Sequence, residues 1–472
     1  MGMPVPASWS TFATALMGFG CVLSLGGCLI DRGPLPFPVD QNPLVDTGVD
    51  APQANDSPLL VDVIDVGGLD AAPNVRDGDA VDAVPPDASP PVVVGIDLGL
   101  GSSCAWLSDG SGKCWGWNMH GQLGDATRND RTTPVRVMGL SNITAISVGG
   151  GSANEHIHTC ALLTFDTSDE VRCWGDNEYG QLGNDTMVDS LSPVRVIGLS
   201  GIWSISAGGR HTCALLRGSG EVRCWGDNEY GQLGNGMMGG SRSSPVTVYH
   251  AGSTSPLNNV SAITTGEAHT CALLSSGEVR CWGRNNHGQL GNRTTTNSSD
   301  PVATVRLEEG REQNLTSVRT IAAGWNHTCA VVGSDAQVFC WGDNSHGQLG
   351  SGMSGGNSTT AVSTGLRGAQ AIAAGGMHTC ALLMGSGEVL CWGANWNGQL
   401  GDGTMTNRST PVPVRGLSGV TAIALGSYHS CAITQNPTTR RPEVLCWGRN
   451  NVGELGDGTT MDRTTPVMVM GP

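Results

Sequence analysis

The tripeptide Cys-Trp-Gly begins at residues 114, 173, 224, 281, 340, 391 and 446, at intervals of 51 to 59 residues. A recurrence of this length marks one structural unit built repeatedly, each copy burying its apolar side chains against its neighbours. The unit is clearest in HTCALLSSGEVRCWGRNNHGQLGN (269–292) and returns as HTCALLRGSGEVRCWGDNEYGQLGN (211–235) and HTCALLMGSGEVLCWGANWNGQLGD (378–402). Between units stand a Pro-Val stretch such as TPVRV (133–137) and an Ile/Val-rich stretch such as ITAISVGG (143–150).

These segments read as four short strands: A (Pro-Val-x-Val), B (Ile/Val-rich, ending Gly-Gly), C (His-Thr-Cys-Ala-Leu-Leu) and D (Val-x-Cys-Trp-Gly). Their β-branched residues and Gly-rich turns fit strands, not helices, and 70 glycines in 472 residues supply the turns. Four antiparallel strands make a propeller blade, so the sequence predicts an all-β, seven-bladed propeller over 92–472. The first unit (92–116) has strands B, C and D, and the chain's last strand (464–470) is an A with no B after it. The expectation is that this C-terminal strand A joins the N-terminal strands B-C-D and closes the ring.

The combination of G-x-x-H-T-x-A-L, Trp-Gly and N-x-x-G-Q-L-G resembles the regulator of chromosome condensation repeat. The resemblance covers 92–472 and implies a seven-bladed propeller. It departs from the pattern at Ser-Ser-Cys (102–104) in the first unit and Gly-Glu-Leu-Gly (453–456) in the last.

Residues 11–27 are uncharged and largely apolar, and Leu25-Gly26-Gly27-Cys28 follows the pattern of a secretory signal. It resembles the lipobox of bacterial lipoproteins, which implies lipidation at Cys28, although no Lys or Arg precedes the apolar run. The expected organisation is a signal peptide (1–28), an acidic Asp/Pro-rich disordered spacer (29–91) and the propeller (92–472). The expected place is the bacterial outer membrane or cell surface, with the membrane touched only through the N-terminal lipid, or else the periplasm. Asp77, Asp79 and Asp82 lack a calcium-loop pattern and read as solvated charge.

Fourteen cysteines fall two per unit, one on strand C and one on strand D. The expected partners are Cys104 with Cys114, Cys160 with Cys173, Cys213 with Cys224, Cys271 with Cys281, Cys329 with Cys340, Cys380 with Cys391, and Cys431 with Cys446. Opposed on neighbouring strands they would lie within disulfide range, and an exported chain keeps such bonds. The alternative is a small buried thiol filling each blade. Their spacings of 10 to 15 residues are not those of zinc knuckles.

His158, His211, His269, His327, His378 and His429 open strand C once per unit. Repetition around a ring spreads them apart and points to a structural bond, such as one to a turn carbonyl. No H-E-x-x-H or P-loop occurs, and no catalytic residue, metal or cofactor is expected. Net charge is −16, about −10 of it in 1–91, and Lys113 is the only lysine, which argues against nucleic acid as a partner.

Strand alternation places A–B and C–D loops on one face and B–C and D–A loops on the other. Insertions at 249–258, 306–317, 164–169 and 434–442 all belong to the first face. On the second, the residues just before the Gly of G-Q-L-G include His120, Tyr179, Tyr230, His287 and His346, with Trp396 one position earlier in its unit. Rigid amphipathic rings suit recognition, or they pack between blades. The expected function is a monomeric, exported module binding a protein or glycan. The alternatives are guanyl-nucleotide exchange on a small GTPase, implied by the resemblance, and a lyase or hydrolase with a site on one face.

Overall fold

The computed structural model describes residues 90–472, apart from 152–155, 166–167 and 309, and the backbone of Val22–Leu23 and Cys28–Leu29, which pair antiparallel. The signal-peptide reading of 1–28, the side chain of Cys28 and the spacer up to residue 89 lie outside the described residues.

Seven sheets form a ring of blades, each with four antiparallel strands. Blade 1 holds Val93–Leu98, Ser102–Leu107, Gly112–Gly116 and Arg131–Arg136, and blade 7 holds Val420–Leu425, His429–Gln435, Pro442–Gly448 and Arg463–Met468. Within each blade the order is B, C, D, A. Strand B lies innermost and almost wholly buried, while strand A is half-exposed at the rim. Strands C and D are buried on both faces because each blade is pressed between two others. Blade 5 carries an added hairpin, Val305–Glu308 with Arg311–Asn314, in the connection that precedes it.

This order corrects the expected closure. The last strand A pairs with strand D of its own blade, Cys446 opposite Val467 and Gly448 opposite Arg463, and does not join blade 1. Blade 1 already has its strand A, which pairs Cys114 with Val135 and Gly116 with Arg131. The D–A loop supplies the reason: Asn118 N donates to Asp130 Oδ1 and Asn450 N to Asp462 Oδ1, each at 2.8 Å, which returns the chain beside strand D just before strand A begins, and proline is compatible with that edge. Lacking an N–H, Pro134 and Pro466 cannot donate to a ladder, and an outer edge is where a strand tolerates that loss.

The ring closes through side chains and loops between complete blades. In every blade the carbonyl of the G-Q-L-G second residue accepts two bonds from the following blade. One comes from the Cys-Trp-Gly tryptophan and one from the strand C hydroxyl: Trp174 Nε1 and Thr159 Oγ1 reach Gln122 at 2.8 and 2.9 Å. At the closing seam Trp115 Nε1 and Ser103 Oγ reach Glu454 at 2.8 and 2.9 Å. Beneath lies a shared core that includes Ile96, Leu98 and Trp115 of blade 1 with Ile433, Val444 and Leu455 of blade 7. The last Gly of the loop must be Gly: Gly456 has φ +64, and a Cβ there would stand 2.8 Å from Trp115 Nε1. Because both seams use the same bond, Trp115→Phe and Trp174→Phe are expected to destabilise the ring equally. The expected loss is about 1–3 kcal/mol each in chemical denaturation. A Trp115→Phe protein as stable as the parent would remove this account of closure.

The strand C histidines extend the same network. His158 Nε2 lies 2.7 Å from Thr212 Oγ1 of the next blade, and His211, His269, His327, His378 and His429 repeat the contact with Thr270, Thr328, Thr379, Ser430 and Ser103. Each hydroxyl already donates to a loop carbonyl, so it accepts from the imidazole, which fixes the Nε2–H tautomer. The Nδ1 atoms are buried without partners. These histidines tie neighbouring side chains, where a turn carbonyl was the expected partner type. Only the seam between blades 1 and 2 lacks the bond, because Ser102 replaces the histidine.

The structure makes a disulfide of each expected cysteine pair and leaves no room for the alternative of free thiols filling the blades. Cys104 bonds Cys114, Cys160 bonds Cys173, and Cys213 bonds Cys224. Cys271 bonds Cys281, Cys329 bonds Cys340, Cys380 bonds Cys391, and Cys431 bonds Cys446. The two members of each pair face each other across strands C and D, with Cα–Cα distances of 4.0 to 4.1 Å. The short distance belongs to directly opposed residues of an antiparallel ladder. Cys173, Cys281, Cys340 and Cys391 each stand one residue before the buried tryptophan, so the bond lies within the core between blades.

Candidate functional site

The D–A loops are shaped by their asparagine. In blade 1, Asn118 Oδ1 accepts from Leu123 N at 3.0 Å, while its Nδ2 reaches Asp125 and the carbonyls of Thr127 and Asn129. The Gln122 side chain accepts from His120 N at 2.9 Å. These bonds hold the loop in one shape, and the residue before its first Gly, here His120, meets the neighbouring blade. In the last unit the glutamate keeps this role, since Glu454 Oε2 accepts from Val452 N at 2.9 Å. Burial pushes its carboxyl up, opposed by Arg449, which pairs with it at 2.8 Å.

The six ring residues expected on this face do not converge on one point. His120 Nδ1 lies 3.4 and 3.3 Å from carboxylates of Asp176 and Asp189 in blade 2. Arg210 lies over Tyr179 at 4.8 Å and Arg284 over Tyr230 at 5.3 Å. His287 meets Asn357 at 3.1 Å, and His346 meets Trp396 edge-on at 4.5 Å. Most thus serve the seam between blades, and Trp396 remains 43% exposed.

Three features escape a reading of the sequence. First, an apolar cap on the B–C loops joins Trp325, Leu100 and Ile157 with Trp117, Met377 and Tyr428. Trp325 Nε1 donates to Ser427 Oγ at 3.1 Å and packs edge-on against Tyr428 at 5.2 Å. These residues come from non-equivalent positions, so repetition hides them. A Trp outside Cys-Trp-Gly is the available signal. Second, the B–C connection of blade 2 is lengthened over 151–157, so variation is not confined to the opposite face. It delivers His156, whose Nδ1 is 3.2 Å from Asp176 Oδ2.

Third, the second half of the D–A loop exposes a methionine in five blades: Met187, Met237, Met353, Met405 and Met461, each 48 to 68% exposed. Thioethers adapt to varied apolar partners. The B–C and D–A loops of the same face also line a depression that includes Arg210, Tyr230, Glu267 and Arg284. The described face holds rings, thioethers and paired charges suited to contact.

Fold and face together define a repeat propeller of the kind that works through its loops. The RCC1-like domain profile matches residues 155–471, and the regulator of chromosome condensation (RCC1) repeat profile matches 114–153. The chain is 30% identical over 388 residues to the ultraviolet-B receptor UVR8 of Arabidopsis thaliana, covering 81% of this chain and 82% of that one. It is 28% identical over 373 residues to the human E3 ubiquitin-protein ligase HERC2, covering 76% of this chain but 7% of the ligase. Among solved structures, that of yeast RCC1 (Prp20) with Kap60 matches with TM-score 0.62 at 22% identity, covering 81% of this chain and 85% of that one. Human WBSCR16 matches with TM-score 0.63 at 23% identity, covering 76% and 94%. These structures share the fold. The chain belongs to the RCC1 repeat family.

Proposed function

We propose that this propeller is a protein-binding module, exported and held at a bacterial membrane through Cys28, which grips its partner with the face of B–C and D–A loops. The carrying observation is the methionine displayed by the same loop in five blades, on the face that carries the aromatic cap. Adaptable apolar tips with scattered arginines suit a protein surface. They suit a glycan less, since Trp396 is the only exposed indole among the described residues. The seven disulfides support an oxidising compartment.

Nucleotide exchange is the second reading. Saccharomyces cerevisiae Prp20p, a structure of the same fold, binds Gsp1p and histones, but a disulfide-stapled propeller fits poorly in a reducing cytosol.

The test is photo-crosslinking of the full chain to exported proteins. The pair Met353→Lys/Met405→Lys is expected to lower capture of a specific partner at least about tenfold. Met384→Lys, in a C–D turn and 47% exposed, is the control and leaves capture unchanged. The opposite result moves the binding surface to the other face.

A further inference from the structure

The seam between blades 1 and 2 is unlike the other six. It lacks the buried histidine bond, and it gathers two imidazoles and three carboxylates at its surface. Asp176 Oδ2 lies 3.4 Å from His120 Nδ1 and 3.2 Å from His156 Nδ1. Beyond it, Asp189 Oδ2 is 3.3 Å from His120 Nδ1, and Glu178 Oε2 is 3.5 Å from His156 Nδ1.

We propose that His120 Nδ1, Asp176 Oδ2 and Asp189 Oδ2 bind one divalent transition-metal ion of the zinc class, with His156 standing next to the open coordination position.

The separations carry the argument. A charge-assisted N–H···O bond runs at about 2.7–2.9 Å, and each contact here is longer. Two ligands of one tetrahedral zinc, with bonds of about 2.0–2.2 Å, stand about 3.4 Å apart. The second oxygens of both aspartates are already engaged, which aims the first ones at the imidazoles. Asp176 Oδ1 accepts from Gln181 Nε2 and from Glu178 N. Asp189 Oδ1 accepts from Asn177 N at 3.0 Å. Such outer bonds orient metal ligands. With imidazoles neutral, as ligation requires, three carboxylates face one guanidinium, Arg128, 3.8 Å from Asp189. The formal balance of −2 matches a divalent cation.

The repeat supplies an internal comparison. Between blades 4 and 5, His287 occupies the same slot, but Asp343 stands at 4.0 Å and Asn357 takes the place of Asp189. Elsewhere the slot holds Tyr, Asn, Val or a His–Trp pair. Only at the seam between blades 1 and 2 does the B–C connection lengthen to deliver a second histidine. Asp189 is favoured over Glu178 as the third ligand because its side chain is 28% exposed against 64%. Imidazole with carboxylate suits zinc-class ions more than the all-oxygen cages of calcium.

The experiment uses the full chain carrying no polyhistidine tag, stripped with a chelator and titrated with zinc chloride against a competing indicator. One ion per chain is expected, together with a rise in melting temperature that calcium chloride does not give. His120→Ala is expected to weaken zinc binding at least about 100-fold and Asp189→Asn about tenfold or more. His156→Ala should weaken it less, while His287→Ala leaves it unchanged. His120 and Asp189 are partly exposed, so circular dichroism should show a folded propeller for both variants. Saturable binding untouched by His120→Ala, equal binding of calcium, or no binding in the folded parent would overturn the proposal.

Discussion

Lowering the pH below 6.5 is expected to destabilise this propeller steeply and unfold it before pH 4 is reached. Burial holds His158, His211, His269, His378 and His429 down to about 3, and His327 to about 4, from an ordinary 6.5. The fixed Nε2–H tautomer explains why. A second proton would have to sit on Nδ1, where no acceptor waits. The unfolded chain takes up these protons near pH 6.5 and the folded one does not. Stability present above 6.5 is therefore lost as pH falls, by about 1.4 kcal/mol per unit for each histidine. At pH 5 the six together amount to on the order of 10 kcal/mol, comparable with a whole domain's stability. Asp97 acts in the other direction, since burial pushes its carboxyl up to about 7, so its contribution is full at low pH and fades as pH rises through 7. One such group offsets only part of the loss. Thermal unfolding across pH 7 to 4 checks this, and His269→Gln should flatten the slope by about one histidine's share. A melting temperature level from pH 6.5 to 4.5 would sink the buried, neutral imidazole.

The fold is legible because each repeat says the same thing seven times. Strand types, blade count and the cysteine pairing, from Cys104 with Cys114 to Cys431 with Cys446, all follow from what recurs. What recurrence conceals is where one blade ends and the next begins. Counting strands from Pro-Val onward is as consistent with the sequence as counting up to it, and the first count misplaces the closure. Both counts leave Pro134 and Pro466 on an edge strand, and what separates them is the loop bond that returns strand A beside strand D, Asn118 N to Asp130 and Asn450 N to Asp462. The site is less legible for a related reason. Ring residues such as Tyr179 and His287 recur because seams need them, while Trp325, Tyr428 and His156 matter on the face and occur once. The replacement of Gln by Glu454 reads in sequence as a departure. In the structure it makes the same loop bond, with Arg449 added to balance the charge.

Reductant is expected to leave the native propeller's disulfides intact and yet to prevent its recovery after unfolding. Every propeller cysteine is at most 1% exposed, so a phosphine or thiol reaches no sulfur until a blade opens. Once reduced, the chain loses seven constraints on loops of 10 to 15 residues. Each is worth about 3 kcal/mol at most through the unfolded ensemble. The folded state changes little, because two thiols fill nearly the volume of the bond they replace. The whole penalty therefore falls on the balance between states. A single loosened blade also withdraws the surface against which its two neighbours bury Trp and Leu, so the losses act together. Protein unfolded in denaturant with reductant and returned to reducing buffer should melt lower than the oxidised form by on the order of 20 °C, or fail to refold. Peptide mapping of the oxidised form should return only pairs within a blade. The bond between Cys213 and Cys224 is the simplest to isolate, because Arg217 and Arg223 lie between them. Free thiols in the folded protein isolated without reductant from its natural host, or an unchanged melting temperature after reduction, would reduce these cysteines to core filling. The compartment inferred from them would then lose its support.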